Sequence, residues 1–189
     1  MTAYRTIVID PPWNYRLRAD DPTHRARLPY ESMTNAAIAA LPVGDLADSD
    51  AHLYLWTTNP HLFGDPTGPS PFEMLTAWGF RYVSLLTWHK LGAPGMGHYF
   101  RGDTEHVLFG IRGRCPIPES ARLSNHIAAH RGQHSRKPDR FYEIVEQVSP
   151  EPRLEMFARR RRVGWDVWGN EAPEFGSTQV PMFAEEAAS

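Results

Sequence analysis

Two consecutive prolines stop the first apolar run of this chain: residues 6–9 read Thr-Ile-Val-Ile, and Asp10-Pro11-Pro12-Trp13 follows at once. A β-branched run of this kind reads as a buried strand, and proline has no N–H with which to extend a ladder, so the strand ends where the carboxylate begins. Similar short runs occur at 52–56, 82–88, 106–111 and 154–157. Helical stretches alternate with them: Thr34 can cap 35–41, Pro71 can open 72–78, and Pro138 can occupy the first turn of 139–148. In the last of these Phe141, Ile144, Val145 and Val148 fall at i, i+3, i+4 and i+7, one apolar stripe. Alternating strands and helices imply an α/β fold with a mostly parallel sheet flanked by helices.

Ligands of such sheets lie beyond the carboxyl ends of the strands, which directs attention to Asp10, Thr57, His89 and the residues from Ala158 onward. Residues 16–29, 59–71 and 113–132 read as loops. From Ala172 the chain turns acidic, small and aperiodic, so a single domain is expected over 1–171, followed by a disordered tail over 172–189.

Composition narrows the classes further. A formal net charge of -2 excludes a polycation that coats nucleic acid by charge alone, so any such contact needs local patches. The single cysteine, Cys115, excludes an internal disulfide and a multi-cysteine zinc site. Apolar runs fall far short of the roughly 20 residues of a membrane span, and the N-terminus shows no basic-then-apolar leader. A cytoplasmic chain without membrane contact is expected. His126, His130 and His134 stand four apart, but Gly132 weakens a helix there and no cysteine joins them, so no metal site is expected. Cys115 has no identifiable relay to make it a nucleophile.

The corner after the first strand carries the chemistry. Two prolines hold an extended path whose carbonyls are acceptors, beside a carboxylate and an indole. A planar amine on a heterocycle fits it: Asp10 and the Pro11 carbonyl accept the two hydrogens, and Trp13 covers the ring. Accepting both hydrogens draws the nitrogen towards tetrahedral geometry and frees its lone pair. The bland alternative is a strand-ending turn. Trp88-His-Lys90 and His98-Tyr99 place aromatic and cationic groups after a strand and in the next loop, which suits an unstacked base. Over 112–140 seven cations (Arg112, Arg114, Arg122, Arg131, Arg136, Lys137 and Arg140) face two carboxylates, Glu119 and Asp139, the expected phosphate-facing surface.

The segment Ile7-Val-Ile-Asp-Pro-Pro-Trp-Asn-Tyr15 resembles the hallmark of the MT-A70 family of adenine amine methyltransferases. Further blocks resemble the family in the same order: Leu28-Pro-Tyr-Glu-Ser-Met33, Leu53-Tyr-Leu-Trp-Thr57, Gly97-His-Tyr-Phe-Arg-Gly-Asp-Thr-Glu-His106, and a run from His134-Ser-Arg-Lys-Pro138 through Phe157-Ala-Arg159 to Trp168-Gly-Asn-Glu171. The resemblance spans residues 5–171, and a spaced series is far more specific than one motif.

What it implies is a Rossmann-like methyltransferase core in permuted order, with the catalytic strand and Asp10, Pro11, Pro12 and Trp13 first and the S-adenosylmethionine strand near the C-terminus. Lys137, helped by Ser135, would hold the cofactor carboxylate at a helix N-terminus, against the plainer reading of a Ser cap and a solvated lysine. Arg159 would approach the cofactor ribose, with Asn170 and Glu171 closing over ribose or adenine. Arg160 to Arg162 could meet substrate phosphates or form a solvated turn. A Gly-x-Gly turn is absent after the cofactor strand, where Phe157-Ala-Arg159 stands. Tyr30 resembles a mobile acceptor-site loop, and Lys90, His98 and Tyr99 complete the substrate side. The implied activity is methyl transfer to the N6 amine of a flipped-out adenine in nucleic acid, DNA favoured over RNA. The alternatives are an RNA adenosine methyltransferase, a catalytically silent subunit and an amine methyltransferase for small molecules. Homo- and hetero-oligomers are both compatible with this reading.

Overall fold

The computed structural model describes residues 3–14, 32–64, 66, 68–95, 99–132 and 136–168. Its first strand, β1 (Tyr4–Ile9), is buried on both faces at Ile7, Val8 and Ile9, as a central strand of a parallel sheet must be. It pairs in parallel with β2 (Ala47–Thr57) on one side. On its other side lies β6 (Arg153–Met156), also parallel, with β7 (Trp165–Trp168) beyond it. The far half contains β3 (Arg81–Leu91), β4 (Thr104–Arg112) and β5 (His126–His130), giving the order β5-β3-β4-β2-β1-β6-β7. Only β4 runs against its neighbours, so the mostly parallel sheet expected from the sequence is present with one reversed strand. β5 and β7 did not register as strands in the sequence. Both are short edge strands, and the first alternates exposed and buried positions with little beyond Ile127 to bury.

Alternate residues feed two cores. Ile7, Ile9, Leu53 and Leu55 face α1 (Asn35–Ala39), α2 (Val43–Leu46) and α3 (Pro71–Ala77). Val8, Tyr54, Trp56 and Trp88 face α4 (Asp139–Val148), whose stripe of Phe141, Ile144, Val145 and Val148 is buried as its spacing predicts. Thr34 accepts from the Ala37 N–H as the α1 cap. Ser70 and Glu73 form a reciprocal capping box ahead of α3, an arrangement not read from the sequence, where Pro71 alone marked the helix start. Among the described residues no helix is long and apolar enough to cross a membrane. The 172–189 segment lies outside the described residues.

Candidate active site

β1 and β6 are adjacent and parallel, with Ile9 opposite Met156, but the chain leaves β1 towards β2 and β6 towards β7. Such a divergence opens a crevice at the carboxyl ends of the two strands. Asp10 follows β1 there, Arg159 follows β6, and α4, which runs back towards the start of β6, presents its N-terminus and Lys137 at the same end. Three residues from distant parts of the sequence are thus brought together.

The Lys137 Nζ lies 3.0 Å from Asp10 Oδ1 and donates to Glu105 Oε2 at 2.9 Å. Lys90 Nζ donates to the other Glu105 oxygen at 2.5 Å. The result is an alternating row, Asp10, Lys137, Glu105, Lys90, in which each side chain is under a fifth exposed. The ammonium of Lys137 also sits 4.8 Å from the Trp56 ring centroid, and that of Lys90 5.2 Å from Trp88. Burial, the largest influence on Asp10, pushes its carboxyl above the ordinary range, while Lys137 and Arg159 draw it back. Burial would likewise raise Glu105, but Lys137 and Lys90 together outweigh it and hold that carboxyl below its ordinary value. Lys137 loses from burial and gains more from Asp10 and Glu105, so its ammonium is held above the usual lysine range.

Glu105 is the residue the sequence reading missed. It precedes His106 in one of the family-like blocks, yet nothing local marks it as charged and buried. Only the reversed β4, pairing Glu105 with Trp88, delivers it to the corner. Lys90, expected beside substrate, is turned onto Glu105.

The prolines close the corner with a γ-turn where an extended path with open carbonyls was expected, and both carbonyls are partly engaged: Trp13 N–H donates to Pro11 O and Met33 N–H to Pro12 O, each at 2.8 Å. A carbonyl has two lone pairs, so each keeps acceptor capacity. Trp13 differs from the expectation that it covers a substrate ring. It is 3% exposed, donates from Nε1 to Trp56 O at 3.0 Å, and stacks on His61 with ring centroids 5.3 Å apart. Its indole is bracing behind the corner, because a large apolar ring beside the core gains more from burial than from solvent contact.

Where a Gly-x-Gly turn is absent, Phe157 itself takes the left-handed conformation with φ 62°. Its N–H donates to Trp168 O at 2.7 Å and its ring meets Trp168 edge-on at 5.5 Å, contacts that hold a backbone state bulky residues avoid. The arginines that follow fold inward. Arg160 and Arg162 both reach Asp139 in the first turn of α4, which Arg136 also contacts at 3.0 Å. The Arg162 guanidinium lies 4.2 Å from the Tyr142 ring centroid, and Tyr142 OH donates to Glu155 at 2.5 Å. Burial lifts Glu155 to about 7. Arg160 and Arg162 therefore clamp α4 to the turn after β6, a role that neither reading of the run anticipated.

The cations of 112–140 do not make one surface. Arg112 donates to the backbone carbonyls of Gly44 and Ala47, and the Arg114 N–H to Asp50, at the end of the sheet away from Asp10, because β4 runs in reverse. Cys115 is buried there. Among the described residues no group of three or more side chains could hold a metal ion. Tyr99 stands 97% exposed on the β3–β4 connection. Tyr30, His98, Ser135, Asn170 and Glu171 lie outside the described residues.

A family model described as MT-A70 matches residues 4–171. The chain is 30% identical over 201 residues to the Type II methyltransferase M.MunI of Mycoplasma sp, covering 96% of this chain and 83% of that protein. It is 30% identical over 178 residues to a probable N(6)-adenosine-methyltransferase MT-A70-like protein of Oryza sativa subsp. japonica, covering 89% of this chain and 23% of the relative. The human N(6)-adenosine-methyltransferase catalytic subunit METTL3 is 27% identical over 178 residues, 89% of this chain and 28% of the relative.

Proposed function

Because the chain belongs to the MT-A70 family it is a methyltransferase, and we propose that it methylates the N6 amine of adenine in nucleic acid, using S-adenosylmethionine, with DNA favoured over RNA. The preference for DNA is supported by the likeness to a Type II methyltransferase along 96% of this chain.

The observation that carries the reading is Asp10, held 3.0 Å from Lys137 in the crevice between β1 and β6. The donor set of that crevice suits the cofactor. Its amino-acid end is a zwitterion, which needs a cation for its carboxylate and an acceptor for its ammonium. Lys137 and Arg159 supply the first, and Asp10 and Glu105 the second. When bound, the sulfonium supplies an electrophilic methyl group.

This chain's residues prepare the amine. Asp10 Oδ1 faces Lys137, and Oδ2 accepts one amine hydrogen. The remaining lone pair of the Pro11 carbonyl accepts the other. Together they turn the nitrogen lone pair out of conjugation and hold it for in-line attack, so positioning and polar complementarity supply the acceleration. Glu105 orients Lys137, and Lys90 orients Glu105. Asp10, raised by burial, is the adjacent acceptor for the proton the amine sheds.

The test is methyl transfer from labelled S-adenosylmethionine to matched single- and double-stranded DNA and RNA, digested to nucleosides and identified by mass. Methylated deoxyadenosine is expected, lowered by about 10²-fold or more in Asp10→Ala. Product on adenosine alone moves the substrate to RNA, and full activity in Asp10→Ala overturns the mechanism. A silent subunit gives no product, and cofactor titration separates it from an enzyme lacking a partner.

A further inference from the structure

Among the described residues four apolar side chains are more than nine-tenths exposed: Phe63, Tyr99, Phe100 and Val163. All four sit on connections that leave the carboxyl ends of strands, β2 for Phe63, β3 for Tyr99 and Phe100, and β6 for Val163. That is the end of the sheet on which Asp10 lies. Isolated exposed apolar residues need no explanation, but two adjacent aromatic rings at 97% and 92% exposure on the rim of a site do.

The connection that carries the two rings is tied down by arginines. Arg101 donates from Nε to Gly95 O at 3.2 Å and from Nη2 to Pro94 O at 3.1 Å. Arg131, just beyond β5, donates from Nη2 to Gly102 O at 3.2 Å. Both side chains belong to exposed residues, and a guanidinium has five N–H donors, so each retains donors and its full charge towards solvent. Among the described residues the nearby carboxylates are committed elsewhere: Glu105 to Lys137 and Lys90, and Asp103 to His89 at 3.7 Å. Exposed aromatic faces beside solvent-facing guanidinium groups match the chemistry of an unpaired polynucleotide, whose bases stack and whose phosphates pair with cations.

We infer that Tyr99 and Phe100, flanked by Arg101 and Arg131, form a stacking platform for unpaired bases next to the target adenine, with the arginines on the intervening phosphates. This rests on the nucleic-acid reading above and adds where the strand runs: from the corner at β1 across the ends of β2 and β4 to the β3–β4 connection. An adenine leaving a duplex also leaves neighbours unstacked, and the platform replaces their lost stacking.

The experiment compares wild type, Tyr99→Ala/Phe100→Ala, Tyr99→Trp/Phe100→Trp, Tyr99→Leu/Phe100→Leu and Arg101→Gln. Binding of a fluorescein-labelled single-stranded DNA oligonucleotide with one adenine is read by anisotropy over a salt series. Cofactor binding, KM and kcat are measured alongside. The double alanine variant is expected to bind the strand about tenfold or more weakly, with KM raised, kcat at saturation retained and cofactor affinity unchanged. Tryptophan is expected to restore binding and leucine not to. Arg101→Gln is expected to reduce the slope of log K against log salt by about 0.7.

Wild-type binding by the double alanine variant, or full rescue by leucine, overturns the platform. So does a change from dimer to monomer in sedimentation velocity with strand affinity unchanged, which would make the rings a contact between copies of this chain. A wild-type protein that binds DNA through these rings yet transfers no methyl group refutes the proposed reaction and leaves the platform standing.

Discussion

The two ends of the sheet each bury a polar network, and the networks are built on opposite terms. At the carboxyl end Asp10, Lys137, Glu105 and Lys90 form a row of four charges. At the amino end His52 is wholly buried, with Nδ1 2.8 Å from Ser149 Oγ and Nε2 2.7 Å from Cys115 O, and Tyr54 OH lies 2.7 Å from the same hydroxyl. Burial holds the His52 ring below its ordinary value, so this network is neutral, where the other pairs two ammonium groups with two carboxyls. Neutral hydrogen bonds satisfy buried groups at little desolvation cost, whereas an ion row has to recover a large one. A fold that needed only stability at both ends has no reason to use charges at one of them, and the charged end is the one that faces the crevice.

The contrast can be broken most forcefully at Lys137. Lys137→Met leaves the Asp10 and Glu105 carboxyls buried together without their shared cation, and a loss of about 3–5 kcal/mol is expected in urea denaturation at pH 7.5, with cofactor binding abolished in calorimetry. An unchanged midpoint would mean the row is open to solvent. Next is Glu155, near the charged end but lifted to about 7 by burial. A carboxyl raised on folding stabilises most below its unfolded value near 4.5 and loses that contribution as pH rises towards 7. Glu155→Gln is therefore expected to gain about 3 kcal/mol over wild type at pH 8 and little at pH 4.5; a pH-independent difference would refute this.

At the neutral end Ser149→Ala removes the hydroxyl shared by His52 and Tyr54, and a cost of about 1–3 kcal/mol is expected in thermal denaturation with kcat intact. The His52 shift has the opposite sign to that of Glu155. Below pH 6.5 the unfolded chain takes up a proton that the buried ring refuses, so stability falls on acidification. The measurement is the urea midpoint of wild type against His52→Gln from pH 7.5 to 5.5, with wild type falling relative to the variant as the pH drops. The smallest effect belongs to Phe157. At φ 62° alanine keeps the left-handed strain and loses the Trp168 contact, while glycine loses only the contact. Phe157→Gly is expected to be about 1 kcal/mol more stable than Phe157→Ala.

What could be read beforehand follows from where the signal lies. β1, β2, β3, β4 and β6 announce themselves by apolar runs and α4 by its stripe, since both depend on periodicity within one segment. β5 was hidden because an edge strand with one well-buried residue has almost no pattern to show. The family-like series drew attention to Asp10, Lys137 and Arg159, which the fold brings to one crevice. It drew none to Glu105, whose importance arises from a partner 32 positions away across a reversed strand. Trp13 shows the converse error. An aromatic beside a reactive corner suggests a lid, and only the packing reveals a brace.

The central position of β1 also fixes when the crevice can exist. Its two ladders join Thr6 to His52 and Thr6 to Arg153, so the two partners of the first strand lie about a hundred residues apart in the chain. During synthesis Asp10 and both β1 and β2 leave the ribosome before Lys137, β6 and Arg159, so one edge of β1 has no partner until β6 emerges. Long-range closure of this kind is slow and exposes aggregation-prone edges until it completes. The corner at Asp10 is therefore complete only once β6 is in place, and a truncation that removes β6 takes away the corner and half the shelter of the central strand together.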